Sequence, residues 1–140
     1  MLQEKITQLY RTFRLLHYRS LFGKIRERDG SLSATEAYAA DVIFLLGNPT
    51  LREFGECLGI SQPNATYKVN NLMGKGYVVK SASEEDRREC RLSVTDKFRT
   101  YYQVKDASLE RAAAELKKQY SSEQLAKFEE MLGSFVSAMK

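Results

Sequence analysis

The chain has almost none of the residues from which small domains build metal or disulfide staples. Two cysteines, Cys57 and Cys90, and one histidine, His17, are all it offers over 140 residues. They share no CxxC spacing, so neither a structural zinc site nor a disulfide framework is expected, and a reducing compartment is. Both thiols read as small packing residues, and no metal or cofactor is expected. Long apolar runs are missing too. No segment approaches the roughly 20 apolar residues that span a bilayer. The opening stretch MLQEKITQLYRTFRLL (1–16) is broken by charge and lacks a small-residue cleavage site, unlike a signal peptide. A cytoplasmic protein without a membrane partner is expected. Nor is there a carboxylate pair, a nucleophile motif or a glycine-rich phosphate loop, so nothing recommends an enzyme. Internal repeats and low-complexity tracts are absent as well.

What is present suits one domain over residues 1–140 with a core of its own, at 43% hydrophobic and 29% charged. A net charge of +4 leans mildly towards polyanions. Its distribution says more. Residues 1–30 are mostly basic where charged, and residues 61–80 carry Lys68, Lys75 and Lys80 with no acid. Between them, residues 31–60 hold Glu36, Asp41, Glu53 and Glu56 against Arg52 alone. A basic segment beside an acidic one suggests a directed face.

Periodicity and capping divide the chain. Leu2, Ile6, Leu9, Phe13 and Leu16 recur at helical spacing, predicting an amphipathic helix from residue 2 to about 22. Ser33 with Glu36, and Thr50 with Glu53, have the spacing of capping boxes. They open helices over 34–46 and 51–58, the first stopped by GNP (47–49) and the second by Gly59. Ser61 is a third N-cap, with Pro63 in the first turn of a helix through 62–75. From 77 to 95 the period falls to two. Tyr77 and Val79 alternate with Val78 and Lys80; Cys90, Leu92 and Val94 alternate with Arg91 and Ser93. Two strands around the polar tip SEEDRREC (83–90) make a β-hairpin. Thr95 then caps a long helix through 96–119, YSSEQ (120–124) breaks and re-caps it, and a last helix carries Leu125, Phe128, Leu132, Phe135 and Met139.

Two helices two or three residues apart, followed directly by a hairpin, follow the winged helix-turn-helix plan. Gly55 is small enough for a close helix crossing, and Gly59 is free to take the positive φ a tight turn needs. Phe54, Leu58, Ile60, Ala65, Val69 and Leu72 supply the apolar contacts. The run LREFGECLGISQPNATYKVNNLMGKGYVVKSASEEDRRECRLSVT (51–95) resembles the DNA-binding lobe of the multiple antibiotic resistance regulator (MarR) family. That family's wing pattern stands here as DRRECRLSVT (86–95), and the flanking helices fall where the family has them. The resemblance implies a mainly α fold with a small β-hairpin wing, a winged helix-turn-helix lobe over 33–95, and dimerisation helices over 1–32 and 96–140. It also implies a homodimeric repressor of a palindromic double-stranded DNA operator, released by a small-molecule effector. A winged-helix protein-interaction module without DNA binding is the alternative.

The residues themselves suit such a role. Ser61, Gln62, Asn64, Thr66, Tyr67 and Lys68 lie off the apolar stripe of the recognition helix. Gln62 and Asn64 are amides that can pair with adenine in the major groove. Ser61, Thr66 and the helix N-terminus suit phosphates, and Lys68 and Lys75 add sequence-blind attraction. Tyr67 stands where many relatives carry arginine. By resemblance, Arg88 enters the minor groove, Arg87 contacts phosphate or braces, and Asp86 braces the wing. Phe13, His17, Tyr18, Tyr38 and Phe44 form a candidate pocket for a small aromatic or lipid-like effector. The apolar stripes of the first and last helices exceed what one small lobe covers, so a homodimer is expected.

Overall fold

The computed structural model describes residues 1–24, 32–82, 89–102 and 107–140. Its elements are α1 (Leu2–Lys24), α2 (Ala34–Leu46), α3 (Leu51–Leu58), α4 (Gln62–Gly74), β1 (Val78–Ala82), β2 (Cys90–Val94), α5 (Asp96–Tyr102), α6 (Ala107–Gln119) and α7 (Ser122–Ala138). The fold is a mainly α winged helix-turn-helix, as the patterning predicts. Two compact units are formed, Met1–Gln103 and Val104–Lys140.

In the first unit the helix starts are fixed by hydroxyl caps. Ser33, Thr50 and Ser61 are extended, and each Oγ accepts from the backbone N–H three residues on, at 3.3, 3.1 and 3.3 Å. Each such cap is worth about 1 kcal/mol over alanine. Gly59 ends α3 with φ 65°, where a side chain would be strained. Gly55 lies at the crossing of α3 and α4, where a Cβ would come into ordinary contact with the Ala65 Cβ at 3.4 Å and the Ile60 carbonyl oxygen at 3.6 Å, and more tightly with Gln62 Nε2 at 3.3 Å. Around that crossing lies the core, with Phe54, Val69, Leu72, Leu92 and Phe98 fully buried.

The hairpin is antiparallel, with Val78 opposite Val94 and Ala82 opposite Cys90. The outer edge of β2 is not bare. Leu92 N–H donates to the Pro49 carbonyl at 2.8 Å and Thr50 bridges to Arg91, so the α2–α3 connection serves as a third, very short strand. Thr95 closes the hairpin: its N–H donates to the Tyr77 carbonyl and its Oγ1 donates to the Gly76 carbonyl at 2.7 Å. The same Oγ1 accepts from Phe98 N–H at 3.4 Å, which caps α5.

One expectation needs correction, and another falls partly outside the described residues. The helix predicted over 96–119 is described as α5 ending at Tyr102 and α6 beginning at Ala107, with residues 103–106 outside the described part. Cys57 and Cys90 are both exposed, so neither is a packing residue. Cys57 lies on the solvent side of α3. Cys90 pairs with Ala82 at the far end of the hairpin, beyond the reach of the core that buries Leu92 and Val94.

The second unit is the pair α6 and α7. Ser121 starts α7 with a full capping box: its Oγ accepts from Gln124 N–H at 3.2 Å, and Gln124 Oε1 accepts from Ser121 N–H at 2.9 Å. Neither helix contains a buried residue. Leu116, Tyr120, Leu125, Phe128 and Met131 line an open cavity of about 440 Å³. Among the described residues, no helix is long and apolar enough to cross a membrane.

Candidate nucleic-acid interface

Helix α4 is held by its inner face and presents its outer one. Ala65, Val69 and Leu72 are completely buried, one helical turn apart. Ser61, Gln62, Asn64 and Tyr67 are exposed, whereas Thr66 and Lys68 are half-buried on the flanks. The outward stripe therefore differs from the sequence-derived set. It runs through Asn64, Tyr67, Asn70 and Asn71, all exposed, and the last two were missed because the amides in the first turn drew the attention. The signal was available, since Asn64, Tyr67 and Asn71 follow an i, i+3, i+7 spacing opposite the apolar one.

Two residues of this set already have partners in the fold. Ser61 Oγ caps Asn64 N–H. The Gln62 amide leans back over α3, its Nε2 3.3 Å from where a Gly55 Cβ would stand. No acid lies in the first turn of α4, which leaves the positive end of the helix dipole unopposed. Lys75, expected as a free cation, is committed elsewhere. Its Nζ meets both carboxylate oxygens of Glu36, at 3.0 and 2.9 Å, and ties the end of α4 to the start of α2. Burial pushes the Glu36 carboxyl up, but hydrogen bonds from Lys75 and Ser33 and the Lys75 charge outweigh it and hold it below its ordinary range.

Beside α4 stand the described parts of the hairpin, with Lys80 exposed on β1. Asp86, Arg87 and Arg88 lie outside the described residues, so their roles stay with the proposal below. The structure adds a wing residue that alternation alone did not single out. Arg91 on β2 donates to the Asn48 carbonyl at 3.3 Å and lies 3.8 Å from Glu53 and 3.6 Å from Glu89. It ties the base of the hairpin to the loop that opens α3. Two of its partners, Asn48 and Glu53, are 43 and 38 residues away in sequence, which no periodicity can reveal.

Three of the five candidate effector-pocket residues come together. The His17 ring lies 5.8 Å from Tyr18 and stacks on Tyr38 at 6.5 Å, joining α1 to α2. Phe44 instead packs on Phe98 of the core, 6.4 Å between centroids. Phe13 is 41% exposed on α1. Next to Tyr38, Tyr102 donates to Asp41 Oδ2 at 3.1 Å, linking α5 to α2. Burial, and then the Asp41 charge, push the Tyr102 hydroxyl far above its ordinary range, so it stays a donor.

The family model described as MarR family matches residues 32–89, from the start of α2 to the wing. Over those residues the chain is similar to the MarR family. Solved structures extend a likeness of fold over nearly the whole chain. FabT of Streptococcus pneumoniae, in complex with DNA, is 22% identical, with 99% of this chain and 97% of that one covered and a TM-score of 0.59. A mutant of MepR from S. aureus is 14% identical over 96% and 97%, with a TM-score of 0.65. PcaV of Streptomyces coelicolor, in complex with its natural ligand, is 17% identical over 94% and 92%, with a TM-score of 0.50. At these identities the likeness is one of fold. No curated protein sequence matches the chain.

Proposed function

We propose that this MarR-type chain is a DNA-binding transcriptional regulator, acting as a homodimeric repressor of a palindromic operator that a small-molecule effector releases. The observation that carries the reading is the outer face of α4: polar, free of acid, capped at its N-terminus and flanked by a hairpin. Ser61, Gln62, Asn64, Thr66, Tyr67 and Lys68 would enter the major groove, and the two α4 helices of a dimer would sit about one helical turn apart. Arg88 would enter the adjacent minor groove, with Arg87 at phosphate and Asp86 as brace. FabT was solved with DNA and PcaV with its natural ligand, which supports both halves of the reading. The exposed apolar side chains of α1 and α7 support self-association. His17, Tyr18 and Tyr38 support an aromatic effector site.

Fluorescence anisotropy with labelled A·T-rich palindromes at rising salt tests this. Affinity should fall log-linearly with salt, as counterion release requires. Arg88→Ala should weaken binding roughly tenfold without changing the unfolding midpoint. Absence of salt-sensitive binding to any duplex would favour a protein-interaction module instead, and unchanged affinity of Arg88→Ala would sink the wing assignment.

A further inference from the structure

The geometry points to a recognition helix that reads A·T pairs in preference to G·C, with carboxamides on adenine and the Tyr67 ring on the thymine methyl group. This rests on α4 occupying the major groove, as proposed above. Guanine is read in that groove chiefly by arginine or lysine at O6 and N7, and cytosine by a carboxylate at N4. α4 has neither an arginine nor an acid anywhere along its length. Its one cation, Lys68, is half-buried on the flank. Lys75, just beyond, is bound by Glu36 at 2.9 Å. Lys68 apart, α4 offers neither half of a G·C pair its matching charged side chain.

What the helix does present is neutral. Four carboxamides, on Gln62, Asn64, Asn70 and Asn71, are all exposed. A carboxamide donates to adenine N7 and accepts from N6, a pairing that adenine alone offers in the major groove. Tyr67 is 67% exposed between Asn64 and Asn71 on the same stripe. Its ring is the largest apolar surface on the outer face. In a groove otherwise lined with polar edges, the thymine methyl is the group such a ring can cover.

The test alters the DNA, so loss of folding cannot imitate the result. Duplexes selected from random sequence by the full-length chain should have A·T pairs at the centre of each half-site. In the selected duplex, thymine→uracil removes only a methyl group and should cost roughly fourfold in affinity at the position facing Tyr67. Replacing adenine by 7-deazaadenine should cost about tenfold where an amide donates to N7. Tyr67→Phe should keep the uracil penalty and Tyr67→Ala should abolish it. Enrichment of G·C pairs at those positions, or indifference to both base changes, overturns the inference and leaves DNA binding standing. Failure to bind any duplex in a salt-sensitive way overturns the DNA-binding proposal and this inference with it.

Discussion

Residues 32–102 and the helices on either side of them treat their apolar side chains in opposite ways. Every fully buried hydrophobic except Leu21 lies between Leu32 and Phe98. By contrast, α1 exposes Leu9, Tyr10, Phe13, Leu15 and Tyr18, and α6 and α7, with Tyr120 between them, expose Leu109, Phe128, Met131, Leu132 and Val136. The middle segment completes its core within one chain. The flanking helices keep more apolar surface exposed than a solvated helix would. The difference teaches that the middle segment is a finished module, to whose core the exposed apolar side chains of the terminal helices do not contribute.

The contrast breaks most sharply at two phenylalanines. Phe54→Ala, at a site with no exposure, should cost about 3–5 kcal/mol in chemical unfolding of the lobe. Phe128→Ala, at 42% exposure, should leave that unfolding nearly unchanged and weaken self-association in sedimentation. Equal effects of the two on unfolding would erase the distinction. A smaller loss tests the lobe's own close crossing. Gly55→Val would press a branched side chain towards Ala65 and the Ile60 carbonyl, costing about 1–3 kcal/mol.

The smallest effect is pH-dependent. The fold holds the Glu36 carboxyl below its ordinary value of 4.5. Its contribution is therefore complete above that value and is lost as pH falls through the lower, folded one. Glu36→Gln should destabilise the lobe by at most about 1 kcal/mol near neutral pH. Wild type and variant should converge in thermal unfolding as pH drops below 4.5. A difference that persists in acid would show that the Lys75 pairing is not its source.

Helix boundaries were legible because their causes are local. Ser33, Thr50, Ser61 and Ser121 each announce a helix within four residues, and each cap is made in the structure. The winged helix-turn-helix order followed from the same punctuation and the change of period at Tyr77. What could not be read is whatever joins distant positions. Glu36 and Lys75 are 39 residues apart and Asp41 and Tyr102 are 61 apart, and neither pair leaves a mark on its neighbours. Cys90 was misread for a related reason: alternation fixes which side of a strand a residue faces, but not how far along it the core extends. Phe44 was misread because an aromatic at helical spacing serves a core and a pocket equally well until its partner, Phe98, is known. Within α4 the buried stripe was legible, and its geometric opposite, with Asn70 and Asn71, was not drawn from it.

The strand-like pairing of Pro49 and Thr50 with β2 bears on solubility. It covers one side of the hairpin, leaving β1 as the open edge among the described residues. An open edge with unpaired amides invites a neighbouring molecule to add a strand. β1 is five residues long and carries exposed Lys80 at its centre. A docking strand would have to bring its own backbone past that ammonium group and then run out of partners within a few residues. Lys80 thus opposes the joining of two copies of the protein edge to edge.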